Sequence, residues 1–359
     1  MKKTVKPARA AAVRRSSRTA KASRSTKRLT VVEHGPASAA PAADPEHVTA
    51  RRLEETLDEL RRGVKDPNLG LFGPGSMMWE IGRESICFLG GGRAALLQLA
   101  HPYVAHGVDQ HSKTRTDPFG RFQRTFSNVF DMIYGDLDSA IDSARRVHRI
   151  HERIRGPIRE SVGKFVDGAP YRANEVPALL WVHATLWDSA VQAYELVVRK
   201  LSHDEKDRYY EETKRFALLF GIPREALPPD WAGFVAYNRR MWESDEVVVG
   251  AAAREIASFL FTPPEKILTP VTAFAKLLTA GLLPPRIRAG FGFKFGTPER
   301  RVFDATIRAL RATHRTWPYR VRYLPAYLDA RRRIQGRSGR DRINELLNRI
   351  YTGRARVAA

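Results

Sequence analysis

The 359-residue chain has a single cysteine, Cys87. That excludes an intramolecular disulfide framework, a covalent haem attachment site and a four-cysteine cluster within the chain. No run of eighteen apolar residues occurs. The nearest candidate, Val271 to Leu283, is short and interrupted by Lys276, so it reads as a core or interfacial helix rather than a membrane span. Acidic residues are missing from positions 1–30, which hold eleven Lys and Arg, and no Phe, Trp or Tyr precedes position 50. Alternating β-branched runs are few, and no fixed-period repeat is present.

What is there begins with charge. The formal net charge is +22, of which +11 sits in residues 1–30, leaving +11 for the other 329. A stretch rich in Lys, Arg, Ser and Ala, followed by Gly35-Pro36-Ala37, buries too little apolar surface to offset its ordering entropy. Residues 1–45 are therefore expected to form a disordered basic tail, and residues 46–359 one helical domain. Arg14-Arg15 invites a twin-arginine export reading, but polar Ser16-Ser17-Arg18-Thr19 follows where an apolar segment is needed. A soluble cytoplasmic protein is expected.

After the tail, apolar residues recur at helical spacing. Leu53, Leu57 and Leu60 mark a first helix ending near Gly63, Ser76 is a candidate cap for the next, and Gly90-Gly91-Gly92 breaks it. Pro102 restarts a helix. Further helices are predicted over 118–134, 137–155, 176–200, 204–220, 229–244, 248–261, 270–282, 298–315 and 340–352. The fold class is all-α.

Asp117-Pro118 is an N-cap followed by a first-turn proline. In the helix it opens, Phe122, Phe126, Val129, Phe130 and Ile133 share one stripe at 100° per residue, with Arg121, Thr125 and Asn128 along its edge. Arg124 points nearly the opposite way. Arg121 and Thr125 can thus face a buried site together; spacing alone leaves open that Arg121 pairs with a carboxylate and Thr125 bonds its own backbone. In the following helix Val147, Ile150 and Ile154 make the apolar stripe, His151 projects from within it, and His148 lies on the flank. His183 sits amid Leu179, Leu186, Trp187 and Tyr194. A histidine on an apolar face is commonly a hydrogen-bonded core residue, and that alternative stays open for both. His101, His106 and His111, five apart, spread their rings about 140° on a helix, which is wrong for one metal. Glu-x-x-His pairs, His-Glu-x-x-His, a Gly-x-Ser-x-Gly elbow and a phosphate loop are all absent. Gly90-Gly91-Gly92-Arg93 is too loose to signal a nucleotide. A one-histidine cofactor in an apolar helical pocket, with arginine for carboxylates, fits these residues, and haem b meets that description.

Leu96-Leu97-Gln98-Leu99-Ala100-His101-Pro102, Gly107-Val108 with His111-Ser112, Asp117-Pro118 with Arg121-x-x-Arg124-Thr125, His151-Glu152-Arg153-Ile154-Arg155-Gly156 and Trp181-Val182-His183-Ala184 occur in that order. Met241-Trp242-Glu243-Ser244-Asp245 and Gly281-Leu282-Leu283-Pro284-Pro285 follow. The series resembles the oxygenase family named for the mycophenolic-acid-pathway oxygenase MpaB and for rubber oxygenase, or latex clearing protein, over roughly residues 70–330. The resemblance implies a globin-like helical core holding haem b, iron chemistry with dioxygen, and a hydrophobic small-molecule substrate, often isoprenoid. In rubber oxygenase an Arg-x-x-Lys-Thr segment lines the distal side and a later histidine is the proximal ligand. Carried over, Arg121 and Thr125 take the distal positions and His151 the iron, with His183 in reserve. The chain departs from that pattern at Arg124, where arginine cannot ligate iron as lysine could. It departs again at the glutamate base, whose neighbourhood here offers Ala105, His106, Asp109 and His111. Both departures argue against rubber cleavage as the reaction.

Two other functions are compatible with the sequence. The basic tail could release counterions from polyanions and bind nucleic acid weakly and without specificity, though it lacks aromatic stacking groups. The helical region could be a non-catalytic lipid- or small-molecule-binding protein.

Overall fold

The computed structural model describes residues 47–112, 116–263, 265–337 and 339–355. These fall within one unit, Pro45–Ala359. The expected tail lies outside the described residues.

Helix starts follow from side-chain caps. Thr49 accepts from the Arg52 amide to open α1 (Ala50–Gly63), and Ser76 accepts from Trp79 to open α2 (Met77–Gly82). After α3 (Gly91–Leu99), His101 caps α4 (Pro102–His111), with Nδ1 accepting from the Tyr103 amide at 3.2 Å. Asp117 accepts from the Gly120 amide and opens α5 (Pro118–Tyr134); Asp136 does the same for α6 (Leu137–His151) through Ser139. A small antiparallel pair, β1 (Arg155–Pro157) and β2 (Pro170–Arg172), sets Gly156 opposite Tyr171. The longest helix, α7 (Val176–Val197), precedes α8 (His203–Leu218), which opens with a Ser202–Glu205 capping box. The series continues with α9 (Trp231–Glu243), α10 (Ala251–Phe261), α11 (Thr269–Leu282), α12 (Pro285–Gly290) and α13 (Thr297–Thr313). It ends with α14 (Tyr319–Arg322), α15 (Pro325–Ile334) and α16 (Arg342–Thr352). The all-α expectation holds.

α7 is apolar around most of its circumference, the pattern of a helix enclosed by others. Trp181 is wholly buried and its indole N–H donates to the Leu97 carbonyl of α3 at 2.8 Å. Two of the three consecutive glycines, Gly90 and Gly92, have a packing reason. A Cβ on Gly90 would lie 2.5 Å from the Ser189 carbonyl oxygen of α7, and one on Gly92 would collide with Thr279 of α11. The start of α3 is therefore wedged between two helices, and positions 90 and 92 have no room for a side chain, whereas Gly91 faces open space. Arg93 completes the wedge. Its buried guanidinium donates to the Leu282 carbonyl at 3.0 Å and to Ser189 Oγ at 2.7 Å, pairs with Asp188 at 2.6 Å, and lies over the Trp242 ring.

Candidate functional site

α5 and α6 form an antiparallel hairpin about Gly135-Asp136. Ser143 Oγ donates to Asn128 Oδ1 at 3.1 Å, and Arg146 Nη2 to Asp131 Oδ2 at 3.1 Å. Two turns further from the connection on each helix, that register brings Arg121 about level with His151. Other elements end there too. Gln110 Nε2 and His111 Nε2 lie 2.8 Å and 3.0 Å from the carbonyls of Pro157 and Arg155, tying the close of α4 to the strand after α6. The Ala173 amide donates to the Ile154 carbonyl just before α7 begins. The end of α4, the start of α5, the end of α6 and the approach to α7 thus share one end of the molecule.

At that end Arg121 is half-buried, and its guanidinium has no hydrogen-bond or carboxylate partner among the described residues. Burial, and secondarily the neighbouring Arg124, push its pKa below the ordinary arginine value. Such an unpaired, partly desolvated cation is unfavourable unless an anion joins it. Arg124 is exposed and pairs with Asp117 at 3.0 Å, as the wheel predicts. Thr125 is exposed as well, and its hydroxyl donates to the Arg121 carbonyl at 3.0 Å. The backbone-bonded alternative is the observed one for Thr125, so Arg121 and Thr125 do not both present free polar groups.

His151 closes α6, half-buried. Burial lowers its pKa to about 4, with Asn174 opposing the shift and His148 adding to it, so the ring is neutral near pH 7. The Asn174 side chain is the ring's polar neighbour, and Nδ1 is enclosed without a hydrogen-bond partner among the described residues. The flank position expected for His148 is corrected. That ring is buried and its Nε2–H donates to the Val48 carbonyl at 3.0 Å, whereas Ile150, expected in the apolar stripe, is 54% exposed. α6 packs against α1 as well as α5, which rotates the inner face toward Ala144, His148 and His151.

His183 is buried in α7. Trp187 Nε1 donates to its Nδ1 at 3.1 Å. An indole N–H can only donate, so Nδ1 keeps its lone pair and the neutral ring carries its proton on Nε2, which is buried without a partner. The other histidines serve separately. His101 caps α4, His111 faces the Arg155 carbonyl, and buried His106 places Nε2 3.4 Å from Glu160 Oε1. Glu160 also accepts from the Ala251 and Ala252 amides at the start of α10. Sequence reasoning missed this imidazole–carboxylate pair, because Glu160 stands in a loop with no periodicity; it also missed Arg93. Among the described residues no group of three or more His, Cys, Asp or Glu could hold a metal ion. A cleft of about 500 Å³ lies elsewhere, lined by residues that include Trp79, Arg83, Tyr327 and Arg331 and none of the predicted site residues.

Haem b requires one neutral imidazole with a free lone pair and cations for its propionates. His151 and Arg121 fit those requirements. His183 does not, since its free nitrogen bears the proton.

Burial holds His101 and His183 down to about 3. Each ring stays neutral in the fold and takes up a proton once released, so below about pH 6.5 the unfolded chain binds more protons. The stability these rings contribute is complete above that pH. It is lost as pH falls toward about 3, at up to about 1.4 kcal/mol per pH unit per ring. His183→Gln should therefore reduce proton uptake on unfolding near pH 5 by close to one per chain, measured by urea denaturation across pH 4–7. An unchanged uptake would contradict the buried neutral assignment.

The sequence profile of the ER-bound oxygenase mpaB/B′/rubber oxygenase catalytic domain matches residues 78–312. The chain belongs to this family. Uncharacterised proteins from Mycobacterium bovis (Mb2261) and Mycobacterium tuberculosis (Rv2237) are each 26% identical to it over 236 residues, covering 63% of this chain and 88% of theirs. No solved structure matches. Membership supports an oxidoreductase of the oxygenase class. No helix among the described residues is long and apolar enough to cross a membrane.

Proposed function

We propose that this protein is a haem b-dependent oxygenase acting on a hydrophobic small molecule, with dioxygen as co-substrate. The observation that carries the proposal is that two under-satisfied groups stand at about the same level of the α5–α6 hairpin. One is the neutral His151 ring, whose enclosed Nδ1 has no hydrogen-bond partner among the described residues; the other is the half-buried Arg121, which has no counter-ion among them. Family membership supports the same reading.

In this reading His151 holds the iron and Arg121 holds a propionate or another anionic group at the site. Haem b, when bound, supplies the redox chemistry with dioxygen. Thr125 keeps its hydroxyl on the helix backbone, so its part in the site is secondary to that of Arg121. Phe126 and Val129, packed on the core beside Arg121, exclude water from the apolar side. Arg124, bound to Asp117, stays outside. Its exposure supports a reaction other than rubber cleavage, since the position cannot supply the lysine of rubber oxygenase.

The test is absorption spectroscopy of two variants. His151→Ala is expected to lose the Soret band, whereas His183→Ala keeps it. The reverse result would move the ligand to His183 and overturn the tautomer argument.

A further inference from the structure

α10 ends at Phe261, and a short 3₁₀ turn at Lys266–Leu268 leads into α11 with apolar side chains exposed. Ile267 is 79% exposed and Val271 64%, with Leu268, Phe274 and Phe259 also exposed. Val271 and Phe274 share a face of α11, Ile267 and Leu268 are exposed in the 3₁₀ turn just before it, and Ala273 and Ala275 are exposed on other faces, so this turn and the first two turns of α11 project from the body. Soluble proteins rarely leave a contiguous apolar patch of this kind uncovered. Its base is basic. Lys276 Nζ lies 4.6 Å from the Phe293 ring, which meets Phe261 edge-on, and residues 262–301 contain seven Lys and Arg against two Asp and Glu.

We propose that this projecting turn docks onto the surface of an anionic phospholipid bilayer. The apolar tip enters the headgroup–acyl boundary, and Lys266 beside it, with Lys276 and Lys294 about the Phe293 ring at its base, forms a collar for the phosphates. Charge decides between lipid and a second copy of the chain. A two-fold dimer through this face would set two net-positive collars against each other, whereas an anionic bilayer complements them. The docking is peripheral and is independent of the haem assignment.

The test is co-sedimentation of the full-length chain with vesicles of phosphatidylcholine containing 30% phosphatidylglycerol. Residues 1–30 attract such vesicles through charge alone, so the apolar contribution is read at about 0.5 M salt, where surface charges are screened beyond about 4 Å. There Ile267→Ser/Val271→Ser/Phe274→Ser should weaken binding at least tenfold, while Ile267→Ser/Val271→Ser, at the two most exposed positions, should weaken it several-fold with an unchanged thermal melt. At about 0.15 M salt Lys266→Glu/Lys276→Glu should weaken binding to these vesicles several-fold and leave binding to pure phosphatidylcholine unchanged. Equal binding by wild type and the triple variant would overturn the proposal. So would a wild-type dimer that the triple variant converts to monomer without any dependence on vesicles, which would make the face an interface between copies.

Discussion

Arg121→Ala is expected to weaken haem binding by about ten- to a hundredfold, while Arg124→Ala leaves it within about twofold, although the two residues lie one turn apart. The difference rests on partners. Arg124 already has Asp117 at 3.0 Å on the exposed side of α5, and an exposed pair contributes at most about 1 kcal/mol. Arg121 has no carboxylate partner among the described residues, and burial already depresses its pKa. A charge-assisted bond to a propionate is worth about 1.5–3 kcal/mol, which converts to that range of affinity. The apo protein should respond in the opposite sense. Deleting an unpaired, desolvated cation is expected to leave its thermal midpoint unchanged or raise it. Arg121→Lys should restore the charge without the planar fork and recover only part of the affinity. Haem titration of both alanine variants, with a thermal melt of each apo form, checks this. Equal affinity in the two would place the propionate site elsewhere.

The largest stability loss is expected at Arg93, far from any proposed chemistry. Its buried guanidinium joins α3 to Asp188 and Ser189 of α7 and to the Leu282 carbonyl of α11. Arg93→Ala removes all of these and leaves Asp188 without its cation in a mostly buried setting. Breaking a buried pair from one side costs about 3–5 kcal/mol. Arg93→Ala/Asp188→Ala should recover part of that loss, because no uncompensated carboxylate remains. Urea denaturation of the single and double variants measures both values. A loss below about 1 kcal/mol for Arg93→Ala would mean that the guanidinium adds little to the α3 wedge.

How legible was this in the sequence? α5 was found from 118 to 134 because Asp117-Pro118 and Gly135 mark its ends chemically and an aromatic stripe marks its face. α6 ends at His151, four residues before the end that the spacing predicts. Ile154 continues the apolar spacing, but the chain turns into β1 at Arg155, and three-residue strands carry no alternation to detect. α15 was missed because Arg331-Arg332-Arg333 masks the short buried run of Ala326, Tyr327 and Leu328. At the site, the wheel separated Arg121 from Arg124 correctly, since that depends on helix period alone. It misjudged His148 and Ile150, because the inward face of α6 is set by a second neighbour, α1, that no local pattern announces. Arg93 and Glu160 acquire partners from helices distant in sequence, and a residue type in a loop or after glycines does not encode them. The tautomer of His183 likewise depends on Trp187 one turn away, a contact that spacing permits but does not require.

The central claim, a haem-iron site built on His151, is tested most directly by pyridine hemochrome and iron quantification on full-length protein expressed with haem supplementation. One haem b and one iron per chain are the expected result. Protein that carries neither iron nor a hemochrome signal under those conditions would contradict the account and leave a helical chain that binds its apolar ligand without redox chemistry.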